Sequence, residues 1–161
     1  MDEKVRNRLS ETSSALCLYS SLPPSEVEEI FNFRPSKDMD ATPSDTLSRY
    51  TIILAQYLIT LQVRFNTARV MASQKKKVLD RKVAEAINTK IVGGKTLKER
   101  EATAVASDPE LQQLEAEYDE DAAERDLLEG LDRPITELIN AFKSEVKRRS
   151  EEKYHTQRER F

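Results

Sequence analysis

Arg69, Lys75, Lys76, Lys77, Arg81 and Lys82 lie within 14 residues and are opposed only by Asp80. Cations at this density can neutralise phosphates and release counterions, the sequence-independent part of nucleic-acid binding. A second chemistry competes for the same side chains. If the chain folds back near residue 98, residues 75–82 lie beside roughly 114–121, where Glu115, Glu117, Asp119, Glu120 and Asp121 are concentrated. Basic and acidic faces would then pair across two antiparallel helices and set their register. Three successive lysines cannot all point at one partner, because neighbouring helical residues project in different directions. Phosphate contact and internal pairing can therefore both hold, for different members of the cluster.

Other candidate chemistry is sparse. Gly93-Gly94-Lys95-Thr96 looks like the end of a phosphate-binding loop, but that loop needs a further Gly where Thr89 stands. The string reads instead as a Gly helix stop followed by a Thr N-cap. The one histidine, His155, lies in a polar C-terminal tail. The acidic run from Glu115 to Asp126 lacks the alternating ligands and Gly of a calcium loop and reads as a solvated face. The single cysteine, Cys17, stands among Ala15, Leu16, Leu18 and Tyr19 and reads as a packed thiol. A second basic cluster, Lys143, Lys147, Arg148, Arg149, Lys153, Arg158 and Arg160, is interleaved with glutamates and reads as an exposed helix. The expectation is a non-enzymatic protein with no catalytic residues, no metal and no cofactor.

The elements that must position the cluster are helices. Charged residues make up 34% of the 161 residues and apolar ones 38%, with three Gly and no Trp. That composition suits long exposed helices and argues against all-β folds. Punctuation then divides the chain. Ser25 with Glu28 is a capping-box pair opening a short helix to about Phe33, which Pro35 ends. Ser36 to Ala41 reads as a polar linker. Thr42 and Pro43 open a run with no Gly or Pro until Gly93. Thr96 with Glu99 caps a short helix to about Ala106, and Asp108-Pro109 opens the last long run, which Gly130 and Pro134 should weaken or kink. The expected layout is an N-terminal helical segment and linker over 1–41, then a long hairpin over 42–161 with helices about 43–90, 97–106 and 109–158.

Apolar spacing of three and four residues marks the seam of that hairpin. It runs through Leu47, Tyr50, Leu54, Tyr57, Leu61, Ala68 and Leu79, and then through Leu111, Leu114, Tyr118, Ala122, Leu128, Leu131, Ile135, Leu138, Phe142 and Val146. The first run carries further apolar side chains off the seam, including Ile52, Ile53, Ile59, Val63 and Phe65. A helix apolar most of the way round is buried on several sides. Either the N-terminal segment folds over it or copies of the protein pack there. Because a narrow hairpin has little core, oligomerisation is favoured, with these five residues as its interface. The uncharged stretch between Arg49 and Arg64 has 14 residues, a length no other uncharged stretch exceeds and short of the roughly 20 a membrane span needs. Met1 to Ser10 has no apolar signal-like core. The expectation is a cytoplasmic protein without membrane contact.

Net charge is −3 but unevenly spread: residues 43–95 carry ten basic and three acidic side chains, and residues 96–133 carry four and thirteen. An apolar helix, then Ala72-Ser73-Gln74-Lys75-Lys76-Lys77 with Arg81 and Lys82, a Gly-containing turn, a short charged segment and Ser107-Asp108-Pro109-Glu110-Leu111 precede a long helix ending in Ile139 to Lys147. This order resembles the phage recombination mediator proteins related to UvsY of T-even phages, over about residues 43–150. The resemblance implies ring-like homo-oligomers that bind single-stranded DNA and load a recombinase onto strands coated by single-strand binding protein. It places the DNA-binding role on Lys75, Lys76, Lys77, Arg81 and Lys82, in the host cytoplasm during infection. The alternative is a structural protein, such as a virion component or scaffold, in which the basic and acidic faces serve architecture alone.

Overall fold

The computed structural model describes residues 4, 7–9, 12, 22, 24–89 and 93–158. Cys17 lies outside these residues. Among the described residues every regular element is helical and no strand occurs, so the chain is all-α. The elements are α1 (Pro24–Asn32), α2 (Pro35–Asp38), α3 (Ser44–Thr89), α4 (Leu97–Ser107), α5 (Pro109–Leu128) and α6 (Asp132–Arg158). They fall into two compact units, one built from Met1–Val63 with Leu128–Phe161, the other from Arg64–Leu127.

Helix ends follow local chemistry, with four departures from the sequence reading. Helix α1 begins at Pro24, so Ser25 lies inside the first turn rather than before it. Proline suits that position because the first N–H has no helical partner. The expected linker is partly helical: Pro35 fixes φ, and Asp38 Oδ2 accepts the Arg34 N–H at 2.7 Å, which closes the single turn α2. Thr42 does not cap α3. Its hydroxyl donates back to the Asp38 carbonyl at 2.7 Å, and the Pro43 carbonyl accepts the first helical bond, from Leu47 N–H.

The expected final helix of about 109–158 is two helices. Helix α5 stops at Leu128, Gly130 takes φ +74°, and α6 starts at Asp132. A left-handed residue just past a helix end satisfies trailing carbonyls, and only Gly adopts it without strain. Pro134 falls in the first turn of α6, where its missing N–H costs little.

The first unit has an aromatic core. Val27, Ile30, Phe31 and Phe33 from the N-terminal region meet Leu47, Tyr50, Leu54 and Tyr57 of α3 and Leu131, Ile135, Leu138 and Phe142 from the C-terminal region; all are buried. Phe33 and Phe142 meet edge-on at 5.0 Å between ring centres, and Phe31 and Tyr57 at 5.2 Å. Such pairs add to the energy of area burial. The N-terminal segment thus packs on one face of the first half of α3, while Ile52, Ile59 and Val63 stay exposed. Polar ties close the unit: Arg149 donates to the carbonyls of Met39 and Thr42, each at 2.6 Å, and also binds Glu145.

The second unit is thinner. Its core is Leu79, Val83, Ala86, Ala104 and Leu111, with Ile87, Val105 and Leu114 packed against it. Thr96 caps α4 in a complete capping box with Glu99, as the spacing predicts. Gly94, at φ +148°, has no room for a side chain, because a Cβ there would lie 2.9 Å from the Arg100 backbone nitrogen. The Gly-Gly-Lys-Thr string is a helix start, and its threonine hydroxyl is occupied by the Glu99 N–H.

Candidate nucleic-acid interface

All five candidate DNA-binding residues lie on the part of α3 that belongs to the second unit. One helical surface does not hold them together. Lys75 and Lys82 are seven residues apart, two helical turns, so they share the face turned toward α5. Lys75 Nζ sits 2.8 Å from Asp121 Oδ2 and 3.8 Å from Glu117 Oε2, and donates to the Glu117 carbonyl at 3.3 Å. Asp121 Oδ2 is buried and faces the Lys75 ammonium. The contact with Asp121 raises the Lys75 pKa above the ordinary lysine value, against the opposing effect of burial. Lys82 pairs with Glu110, and Arg64, one helix stretch earlier, pairs with Glu124.

These three pairs run in opposite chain directions, so α3 and α5 are antiparallel within this unit. Lys75 and Lys82 are held by carboxylates of their own chain, so a phosphate would have to displace those carboxylates. Lys76, Lys77 and Arg81 are exposed. Arg81 lies 3.9 Å from Glu85, a contact between two solvated side chains worth little. Lys76 and Lys77 make no ion pair among the described residues. Arg69 is also exposed, with its guanidinium 6.0 Å from the centre of the Phe65 ring. The i, i+4 spacing of Phe65 and Arg69 was the signal for that contact, and the Arg64–Glu124 pair was missed because Arg64 stands apart from the lysine run.

Local electrostatics are nearly balanced. Residues 64–95 carry nine basic and two acidic side chains, and residues 96–127 carry three and eleven. Acidic α5 pairs with the inner face of basic α3, and Lys76, Lys77 and Arg81 stand on its exposed side.

The expected self-association residues also divide. Ile52, Ile59 and Val63 are 60%, 63% and 59% exposed. Their spacings of seven and four place them in one stripe on the solvent side of α3. Ile53 is only 7% exposed and packs inside its own chain, so it is not available to a partner. It lies one residue, about a quarter turn, off the stripe. Phe65 is half-buried beneath Arg69. In the second unit Val70 and Met71 are exposed as well.

His155 is exposed on α6, and no group of three or more His, Cys, Asp or Glu among the described residues is gathered to hold a metal ion. No helix among them is long and apolar enough to cross a membrane. No family model, curated protein or solved structure matches the chain.

Proposed function

We propose that the chain is a non-enzymatic, self-associating accessory of phage DNA recombination that holds single-stranded DNA and helps load a recombinase in the host cytoplasm. The observation that carries this reading is the division of the basic cluster. Internal pairing accounts for Lys75 and Lys82 and leaves Lys76, Lys77 and Arg81 facing solvent with no structural task. Lysines there act as point charges on a phosphate backbone, so binding is electrostatic and indifferent to sequence. The exposed stripe of Ile52, Ile59 and Val63 supports self-association, which multiplies weak contacts along one strand. The long antiparallel hairpin over residues 42–161 belongs to the same reading, supported by the α3–α5 pairs.

A second reading, a virion or scaffold protein, is favoured by the ion pairs Arg64–Glu124, Lys75–Asp121 and Lys82–Glu110, which are architectural. Titration of labelled single-stranded DNA against salt separates the two. The first reading expects log affinity to fall with log salt at a slope of about −0.7 per phosphate neutralised. A chain that ignores the strand at about 50 mM salt, where such binding is strong, overturns it in favour of the second. Sedimentation tests self-association: a mass several times 18.5 kDa is expected, reduced by Ile59→Asp.

A further inference from the structure

In the Arg64–Leu127 unit, the end of α3, α4 and the start of α5 surround an open groove of about 640 Å³. Val83, Ile87 and Val105 line it, and Leu97 forms a lip that is 65% exposed. Asp80, Glu101 and Glu115 stand around it against a single Lys98. None of these three carboxylates has an ion-pair partner among the described residues, although Glu110, Glu117, Asp121 and Glu124 of the same unit do. An apolar floor with an uncompensated acidic rim suits an apolar side chain flanked by cations.

The other unit carries such a surface. Ile52, Val146 and Tyr154 line a wide, open hollow between α3 and α6, at which Tyr154 is 70% exposed. Lys143 and Lys147 flank it. Lys143 has no ion-pair partner among the described residues, and Lys147 has only a loose one, Glu151 at 3.8 Å.

We propose that the acidic-rimmed groove of one copy receives the Tyr154 face of a second copy. The occupant is chosen by charge: unpaired carboxylates ring the groove and lysines flank an exposed aromatic on the same chain. The two patches differ, so each copy gives one surface and accepts the other, a head-to-tail contact that closes into a ring or runs on as a filament. This assignment rests on the self-association reading above and specifies the surfaces that achieve it.

Charge exchange followed by sedimentation tests it. Glu101→Lys with Glu115→Lys, and separately Lys143→Glu with Lys147→Glu, should each weaken self-association by about 100-fold. Mixing the two variants should restore assembly, because each reversed groove then meets a reversed face. Leu97→Gln, at an exposed position that leaves the core intact, should weaken it by about 10-fold. A wild-type oligomer that Ile59→Asp dissociates but neither charge reversal disturbs overturns this contact and leaves self-association standing. A wild-type chain that sediments as a monomer overturns both.

Discussion

The two units of this chain are held by different forces. The unit of Met1–Val63 and Leu128–Phe161 buries Phe31, Phe33, Tyr50, Tyr57 and Phe142, and its ion pairs decorate an apolar core. The unit of Arg64–Leu127 buries Ala68, Ala72, Leu79, Val83, Ala86, Ala104 and Leu111, mostly small side chains, and places ion pairs along the line where α3 and α5 meet. Small residues let two helices approach closely but remove little apolar surface from water. Charge then fixes register where bulk does not. The first unit supplies most of the apolar burial, and the second presents a charged surface whose inner half is already engaged. Binding is therefore expected from the second unit's outer face and robustness from the first.

The largest expected effect tests that division of labour. Phe142→Ala removes a fully buried ring that touches Phe33 and Tyr50, and should cost about 3–5 kcal/mol in denaturant unfolding. Val83→Ala in the second unit deletes two methyl groups from a thinner core and should cost about 1–2 kcal/mol. Equal losses would remove the contrast.

Charge reversal sharpens it from the other side. Lys75→Glu places a like charge beside Asp121 and Glu117 and should speed amide exchange in residues 64–127 while leaving residues 128–150 protected. Adding Asp121→Lys should recover most of that protection. The raised Lys75 pKa makes its contribution complete at neutral pH and lost only as pH rises through that raised value.

At acid pH the first unit should respond through Glu145. Its hydrogen bond from Arg148, and then that from Arg149, hold its pKa near 2, below the usual 4.5. The contribution is complete above 4.5 and is lost as pH falls toward about 2. Glu145→Gln should flatten the acid limb of a stability–pH profile over that window. At the alkaline end, burial and then the hydrogen bond to Glu29 push Tyr50 up to about 12 from 10.0. Folding therefore favours its neutral form, and that contribution is lost as pH rises from 10.0 to about 12. Tyr50→Phe should abolish this alkaline dependence.

The smallest effect lies at the helix break. Gly130→Ala meets no neighbouring atom within 4 Å, so its cost is that of φ +74° alone, about 1 kcal/mol. A loss near zero in thermal unfolding would mean that the break is not held left-handed.

Much of this architecture was legible because it rests on period and punctuation. The seam from Leu47 through Leu79 is buried residue for residue, and the Thr96–Glu99 and Asp108–Pro109 starts fall where their spacing places them. What stayed hidden depends on which face meets which neighbour. Ile53 and Ile52 are indistinguishable by type, yet one is buried and the other exposed. The wheel direction of the core, set by the N-terminal segment, decides between them. Thr42 had the right residue type for a cap, but Asp38 offered its hydroxyl a nearer carbonyl. The lysine run read as one cluster because sequence order conceals that α5 selects Lys75 and Lys82 and leaves their neighbours outward.

That division of labour among the lysines is the central claim, and one paired measurement tests it directly. Affinity for labelled single-stranded DNA and amide protection of residues 64–127 are measured on two double variants, Lys76→Glu with Lys77→Glu and Lys75→Glu with Lys82→Glu. The outer pair should abolish DNA binding and keep protection, since glutamate forms helix as readily as lysine. The inner pair should lose protection first. Outer-pair variants that bind the strand as tightly as the wild type, or inner-pair variants that stay fully protected, would contradict the account.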